Sequence, residues 1–177
     1  MIFLRELTRS DLQNTLRWRQ DPLLVENLGE PFRYINPETE AAWFEAYLQN
    51  RAQNVRLAIC ESETQTHIGN LNLTQIHAVH RSAEFSILIG EAEARGKNYG
   101  TLATRLGLKH AFEDLHLNRV YLQHREDNLA AHTLYLKTGF QVEGCLRQAY
   151  FKQGHYLNAV VMSILAEDYF RNSTSTC

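Results

Sequence analysis

Arg95-Gly96-Lys97-Asn98-Tyr99-Gly100-Thr101 separates two segments of opposite hydrophobic period. Upstream, Phe85-Ser86-Ile87-Leu88-Ile89 has the length and β-branching of a buried strand. Downstream, Tyr99, Leu102, Ala103, Leu106 and His110 recur at helical spacing and predict one buried helix face. A strand that passes through a short, basic, glycine-containing loop into a helix makes an anion cradle. The first-turn amides lack intrahelical acceptors, and the helix dipole is positive at that end. The expected guest is the pyrophosphate of a nucleotide-like molecule.

The chain of 177 residues has the size of one domain that needs neither disulfides nor metals to bury a core. A formal charge of −2 argues against nucleic acid as the main partner. Charge is nevertheless uneven: Arg95, Lys97, Arg105, Lys109, Arg119 and Arg125 face only Glu113 and Asp114 in the stretch from 95 to 125. That favours a polyanionic small molecule over a polyanionic polymer. Cys60, Cys145 and Cys177 have no zinc-ligand spacing and read as reduced thiols. The early charges of the N-terminus and the lack of a long apolar run predict a soluble, cytoplasmic protein with no membrane contact.

Taken in order, Ile2 to Glu6 reads as a strand, and a helix capped by Thr8 or Ser10 should bury Leu12, Leu16 and Trp18. Asp21-Pro22 breaks it, and Leu23 to Asn36 reads as a loop with room for one helical turn. Asn36-Pro37-Glu38 starts a helix expected to bury Ala42 or Trp43, Ala46 and Tyr47. Val55–Cys60 and His67–Thr74 alternate as a hairpin, and Ala83–Ile89 follows as the next strand. A helix to about Leu115, a strand over Val120–Gln123 and a helix from Asn128 to Lys137, closed by Gly139, complete the central part. Two last strands flank Lys152-Gln153-Gly154-His155. The expected organisation is one domain over residues 1–171 and a disordered tail over 172–177. The order implies an α/β domain, antiparallel first and then parallel around the cradle.

Two familiar anion loops fail on position. A P-loop needs four residues between its glycine and the Gly-Lys pair, and here Gly90 is followed by five, with Asn98 in place of Ser/Thr. No G-x-G-x-x-G follows a first strand, which removes the dinucleotide fingerprint. The run Arg95 to Gly100 instead resembles the R/Q-x-x-G-x-G/A loop of GNAT N-acetyltransferases, and Asn128-Leu129-Ala130-Ala131-His132-Thr133-Leu134-Tyr135-Leu136-Lys137-Thr138-Gly139-Phe140 resembles that family's N-x-x-A-x-x-L-Y-x-K-x-G-F signature. Leu16 to Pro22 and Trp43-Phe44 are similar to the branch holding RimJ/RimL-type, spermidine and amino-sugar acetyltransferases. One position departs: Asn98 stands where the motif has its first glycine. Asn is the non-glycine residue best suited to positive φ, so the turn can survive.

The resemblance implies a GNAT fold, with a mixed sheet, an antiparallel N-terminal part, a parallel pair splayed at the cofactor, and flanking helices. It implies acetyl-CoA as cofactor, held by Gly96, Lys97, Asn98, Tyr99, Gly100 and Thr101 with charge from Arg95, by the backbone of Ile87, Leu88 and Ile89, and by Asn128 and Lys137. Tyr135 lies two helical turns after Asn128 and is the candidate acid for the departing thiolate. Glu84 is the candidate base for the amine, with His80 as the alternative. Glu30, Phe32, His80 and Tyr150 are candidate acceptor-site residues, and Glu26, Glu30, Glu38, Glu40 and Glu45 suggest an acidic mouth for a cationic amine. No metal site is expected, because His77-x-x-His80 has no companion ligands. The implied activity is direct acetyl transfer to a primary amine of a polyamine, amino sugar or protein N-terminus, in a ternary complex. A catalytically silent acyl-CoA-binding sensor or interaction module is the alternative, and a homodimer is compatible.

Overall fold

A computed structural model describes residues 1–29 and 31–174, with side chains to residue 172. The elements are β1 (Ile2–Glu6), α1 (Leu12–Arg19), α2 (Pro22–Glu26), α3 (Pro37–Gln49), β2 (Val55–Glu61), β3 (His67–His77), β4 (Ser82–Ile89), α4 (Tyr99–Lys109), β5 (Arg119–Arg125), α5 (Leu129–Lys137), β6 (Gln141–Lys152), β7 (His155–Leu165) and α6 (Ala166–Thr174). The strands form one seven-stranded sheet in the order β1-β2-β3-β4-β5-β7-β6. β1 to β4 run antiparallel, β4 and β5 are the parallel pair, and β7 lies between β5 and β6.

Helix starts follow local chemistry. The Asp21 carboxylate accepts from the amides of Leu23 and Leu24 and Pro22 opens α2. Asn36 accepts from the Thr39 amide at 2.8 Å with Pro37 at the first position of α3.

The sheet is covered on both faces. One face buries Ile59, Leu71, Leu73, Ala83, Phe85, Val120, Leu122, Met162 and Ile164 beneath α4 and α5. The other packs Ala58 and Cys60 against Leu7, just after β1, and against Leu12, Phe44 and Tyr47 of the early helices.

Three expectations shift. In α4 the buried side is Ala103, Thr104, Gly107 and Leu108, whereas Leu102 and Leu106 are exposed. Small residues face the sheet because the helix comes close: a Cβ on Gly107 would lie 2.7 Å from Leu71 Cδ1. In α3 the buried residues are Glu40, Phe44 and Tyr47, and Ala46 is exposed. Finally, the strand β7 is followed by α6, which carries regular structure past residue 171. Tyr169 anchors it on Phe112 with ring centroids 5.1 Å apart. The remainder of the expected tail, residues 175–177, lies outside the described residues.

Candidate active site

β4 and β5 pair only at Ser82–Arg119, Ala83–Val120 and Glu84–Tyr121, although β4 runs on to Ile89 and β5 to Arg125. Beyond Glu84 the strands diverge. β4 keeps β3 as its partner through Ile89, while β5 keeps β7 through Arg125. The open wedge exposes strand edges that can still accept backbone hydrogen bonds. It opens into a cleft of about 820 Å³ lined by Phe85, Ser86, Ile87, Ile89, the loop before α4, Gln123 to Arg125, and α5.

The loop at the head of α4 has the predicted form. Gly96 takes φ 76° and Asn98 takes φ 62°, both in the left-handed region. Asn98 is the N-cap of α4 but gives no side-chain cap bond, so its side chain does not compete for the first-turn amides. Those amides, at Tyr99, Gly100 and Thr101, sit on the cleft wall. Arg95 donates to the carbonyls of Ile89 (3.2 Å) and Gly90 (2.9 Å), tying the loop back to the end of β4. The Tyr99 phenol donates to Glu61 Oε1 at 2.7 Å and ties it to β2. This is a preorganised anion site, and it fits a pyrophosphate.

The α5 wall presents Asn128 and Tyr135. Asn128 caps α5 by accepting from the Ala131 amide at 3.1 Å, and its own amide donates to the Asn27 carbonyl at 3.4 Å. Tyr135 is 6% exposed and lines the cleft. Its ring sits 6.3 Å from Phe85, 5.5 Å from Phe140 and 5.9 Å from His124. Burial, and then the neighbouring Tyr150, push the Tyr135 phenol above its ordinary value. It stays protonated at any physiological pH, a loaded but weak acid.

The structure brings Ile87, Ile89, Arg95, Gly96, Asn98, Tyr99, Gly100, Thr101, Asn128, Tyr135 and Lys137 to one cleft. Leu88 and Lys97 flank it without lining it. Glu84 occupies the last paired position of the wedge. Its neighbours Ala83 and Phe85 point into the core that holds Tyr135, so strand alternation places its carboxylate on the opposite face. There it accepts from Gln75 Nε2 at 2.6 Å and, after burial, is the next cause raising the Tyr121 phenol. His80 is not brought to the cleft; it lies in the turn after β3, stacked on His77 at 4.1 Å. Phe32 packs edge-on against Tyr34. Tyr150 is close to Gly29 at the cleft rim: a Cβ there would meet its ring at 2.9 Å. Glu30 lies outside the described residues.

Of the five acidic residues expected at the mouth, Glu26, Glu40 and Glu45 hold partners within the protein, whereas Glu38 is exposed in the first turn of α3. Glu40 is buried and bound to Arg19 at 2.7 Å, and burial outweighs that arginine in raising its carboxyl. Glu45 pairs with Arg9, and Glu26 accepts from Gln153. Two contributors went unseen in the sequence. Asn27, Leu28 and Gly29, after α2, form part of the cleft wall. Arg125 is 9% exposed, forms a bidentate pair with Asp127 and donates to the Glu26 carbonyl. With Lys152 on the Val25 carbonyl, it fastens the end of α2 over the wedge. The basic run 95–125 contained Arg125, but nothing local signals a partner 99 positions away. Among the described residues there is no metal-binding cluster, and no helix is long and apolar enough to cross a membrane.

Known proteins share this arrangement. The family model for the Acetyltransferase (GNAT) domain matches residues 2–141. Spermidine N(1)-acetyltransferase of Escherichia coli is 31% identical over 172 residues, covering 94% of this chain and 87% of that protein. The Vibrio cholerae enzyme of the same name is 29% identical over 171 residues and 96% of each chain. The crystal structure of the spermidine N-acetyltransferase from Vibrio cholerae, in complex with CoA and spermine, superposes with a TM-score of 0.90 at 28% identity. It covers 96% of this chain and 98% of that one.

Proposed function

The chain belongs to the GNAT acetyltransferase family, and we propose that within it this protein is a polyamine N-acetyltransferase whose active site is the wedge between β4 and β5. It is an acetyl-CoA-dependent amine N-acetyltransferase. Acetyl-CoA, when bound, supplies an activated thioester. The observation that carries the assignment of the site is the early end of β4–β5 pairing beside an uncapped helix start, with Tyr135 on the facing wall.

Each role rests on a local property. The amides of Gly96 to Thr101 take the pyrophosphate. The free β5-side edge of Ile87 to Ile89 pairs with the pantetheine arm, with Asn128 and Lys137 along the same groove. Tyr135 delivers its phenolic proton to the departing sulfur. Glu84, at the wedge apex on the other face, draws a proton from the attacking amine. An ammonium of ordinary pKa costs roughly 4–5 kcal/mol to neutralise at pH 7, so a carboxylate or a water beside it contributes directly. Tyr150 walls the acceptor side. Transfer is direct, in a ternary complex; among the described residues Cys60 is buried outside the cleft and Cys145 is on the exposed strand β6, so neither is placed to carry the acetyl group.

Spermidine or spermine as acceptor is supported by the names of the relatives, which cover nearly the whole chain. The placement beside them in the RimJ/RimL-like branch, a cytoplasmic location and a homodimeric state belong to the same reading. The test is incubation with acetyl-CoA and a panel of spermidine, spermine, glucosamine, an aminoglycoside and N-terminal peptides, with product masses recorded. Acetylated polyamine as the dominant product is expected. Preference for a peptide N-terminus would overturn the acceptor, and tight CoA binding without turnover on any amine would favour the silent sensor.

A further inference from the structure

The mechanism leaves unused a hydrogen-bonded pair of imidazoles, one of them on the cleft wall. His124, on β5, is 6% exposed and lines the cleft. Its Nδ1 lies 2.7 Å from its neighbour's carbonyl, that of Arg125, and its Nε2 lies 3.1 Å from His132 Nδ1 on α5. A carbonyl only accepts, so Nδ1 of His124 carries a proton and donates. In the neutral ring Nε2 is then an acceptor, and His132 Nδ1–H donates to it. The remaining nitrogen, Nε2 of the half-buried His132, is free of both bonds. One further proton fits there without breaking either bond, and it strengthens the inter-histidine bond by making it charge-assisted.

We propose that the His124–His132 pair is a proton-carrying positioning element for Tyr135, charged on its acid side and acting on the reaction through the phenol. His124 stacks obliquely on Tyr135, 5.9 Å between centroids at 35°, and His132 precedes Tyr135 by one turn of α5. When C–S cleavage leaves a thiolate, the Tyr135 O–H proton passes to sulfur and a tyrosinate remains. The charged pair stabilises that anion through its field, and solvent in the cleft that Tyr135 lines returns the proton to the phenol. The proton lost by the amine leaves through the opposite face, so atoms and charge balance over the cycle.

Burial lowers His124, the Arg125 carbonyl raises it in part, and His132 lowers it further. The added proton therefore resides on the His132 side. From β7 the cross-strand neighbour of His124 is Val160, and from β4 the ring beside Tyr135 is Phe85. The guanidinium of Arg125 is held by Asp127 and the Glu26 carbonyl, and Tyr150 from β6 bears on Tyr135. Asn128 and Lys137 stand at the two ends of α5.

The inference rests on Tyr135 being the acid, and the experiment separates the two. kcat is measured from about pH 5.5 to about pH 9 for the unmodified enzyme, His132→Asn, Tyr135→Phe and the double variant. Asn places an amide donor where Nδ1 stood, keeping the bond to His124 while removing the ability to carry charge. His132→Leu, with thermal melts for all variants, reports what the bond alone does. An added charge on His132, one turn of α5 before Tyr135 and half-open to solvent, is worth roughly tenfold at an effective dielectric near 20 over a separation on the order of 10 Å. The expected result is a ratio of unmodified to His132→Asn kcat of roughly ten at about pH 6, falling toward one at alkaline pH, and a flat ratio in the Tyr135→Phe background. A pH-independent ratio overturns the proposal while leaving Tyr135 in place. Full activity of Tyr135→Phe overturns the acid assignment itself, and with it the pair's role.

Discussion

Replacing Tyr135 with Phe removes one oxygen from a side chain that is 6% exposed. The ring keeps its contacts with Phe85, Phe140 and His124, so the loss of stability should stay within about 1 kcal/mol. General acid catalysis contributes roughly 10²- to 10⁴-fold. Burial and Tyr150 hold the phenol above its ordinary value, which reduces the driving force for proton transfer to a thiolate and points to the lower end. kcat should therefore fall about a hundredfold, equivalent to about 2.7 kcal/mol in the barrier, with an unchanged KM for spermidine. The assay is thiol release at saturating acetyl-CoA, with calorimetry for CoA in parallel. A kcat within threefold of the unmodified enzyme refutes the reasoning. An equal loss in CoA affinity would mean that the residue binds rather than protonates.

Gly100→Asp should weaken CoA at least tenfold by calorimetry: its Cβ would meet Leu134 Cδ1 at 2.8 Å, and its charge would oppose the pyrophosphate. Unaltered affinity would mean the cradle is elsewhere. Asn98→Ala should lose about 1 kcal/mol in urea unfolding, because φ is 62° there, whereas Asn98→Gly should stay within about 0.5 kcal/mol. Equal losses would show that the Asn side chain, not its conformation, matters. Burial alone would raise Asp11, but hydrogen bonds from Arg5 and Thr8 and the charge of His67 hold it at about 2, against 3.8 in the unfolded chain. A depressed carboxyl contributes stability that is present above about pH 4 and lost as pH falls through about 2, here about 2 kcal/mol. Unfolding curves across that window should flatten in Asp11→Asn, and an unchanged slope would count against the ion pair.

The motifs were legible because each is local. Strand, loop and helix around Arg95–Thr101 show as a change of period, and the α5 signature carries its own cap and its own closing glycine, Gly139 at φ 97°. The left-handed turn at Asn98 could be foreseen from residue type alone. Long-range features could not. Leu102 and Leu106 looked like the core side of α4, but the close approach of Gly107 to Leu71 turns the small residues inward and leaves the leucines beside Leu136 on a separate groove. A helical α6 depends on Tyr169 finding Phe112 and Glu113. Three of the acidic residues near the early helices, Glu40, Glu45 and Glu26, are taken up by Arg19, Arg9 and Gln153, which the sequence does not signal. Likewise, the hydrogen bond between His124 and His132 joins a strand to a helix, and neither residue advertises the other.

The account's central claim is that the β4–β5 wedge receives the acyl donor, with its pyrophosphate at the start of α4. A crystal structure of the CoA complex tests this most directly. It should show the pyrophosphate on the amides of Gly96 to Thr101, the pantetheine arm along Ile87 to Ile89, and the sulfur beside Tyr135. A pyrophosphate seated instead in the groove of Leu102, Arg105, Lys109 and Lys137, with the wedge empty, would contradict it.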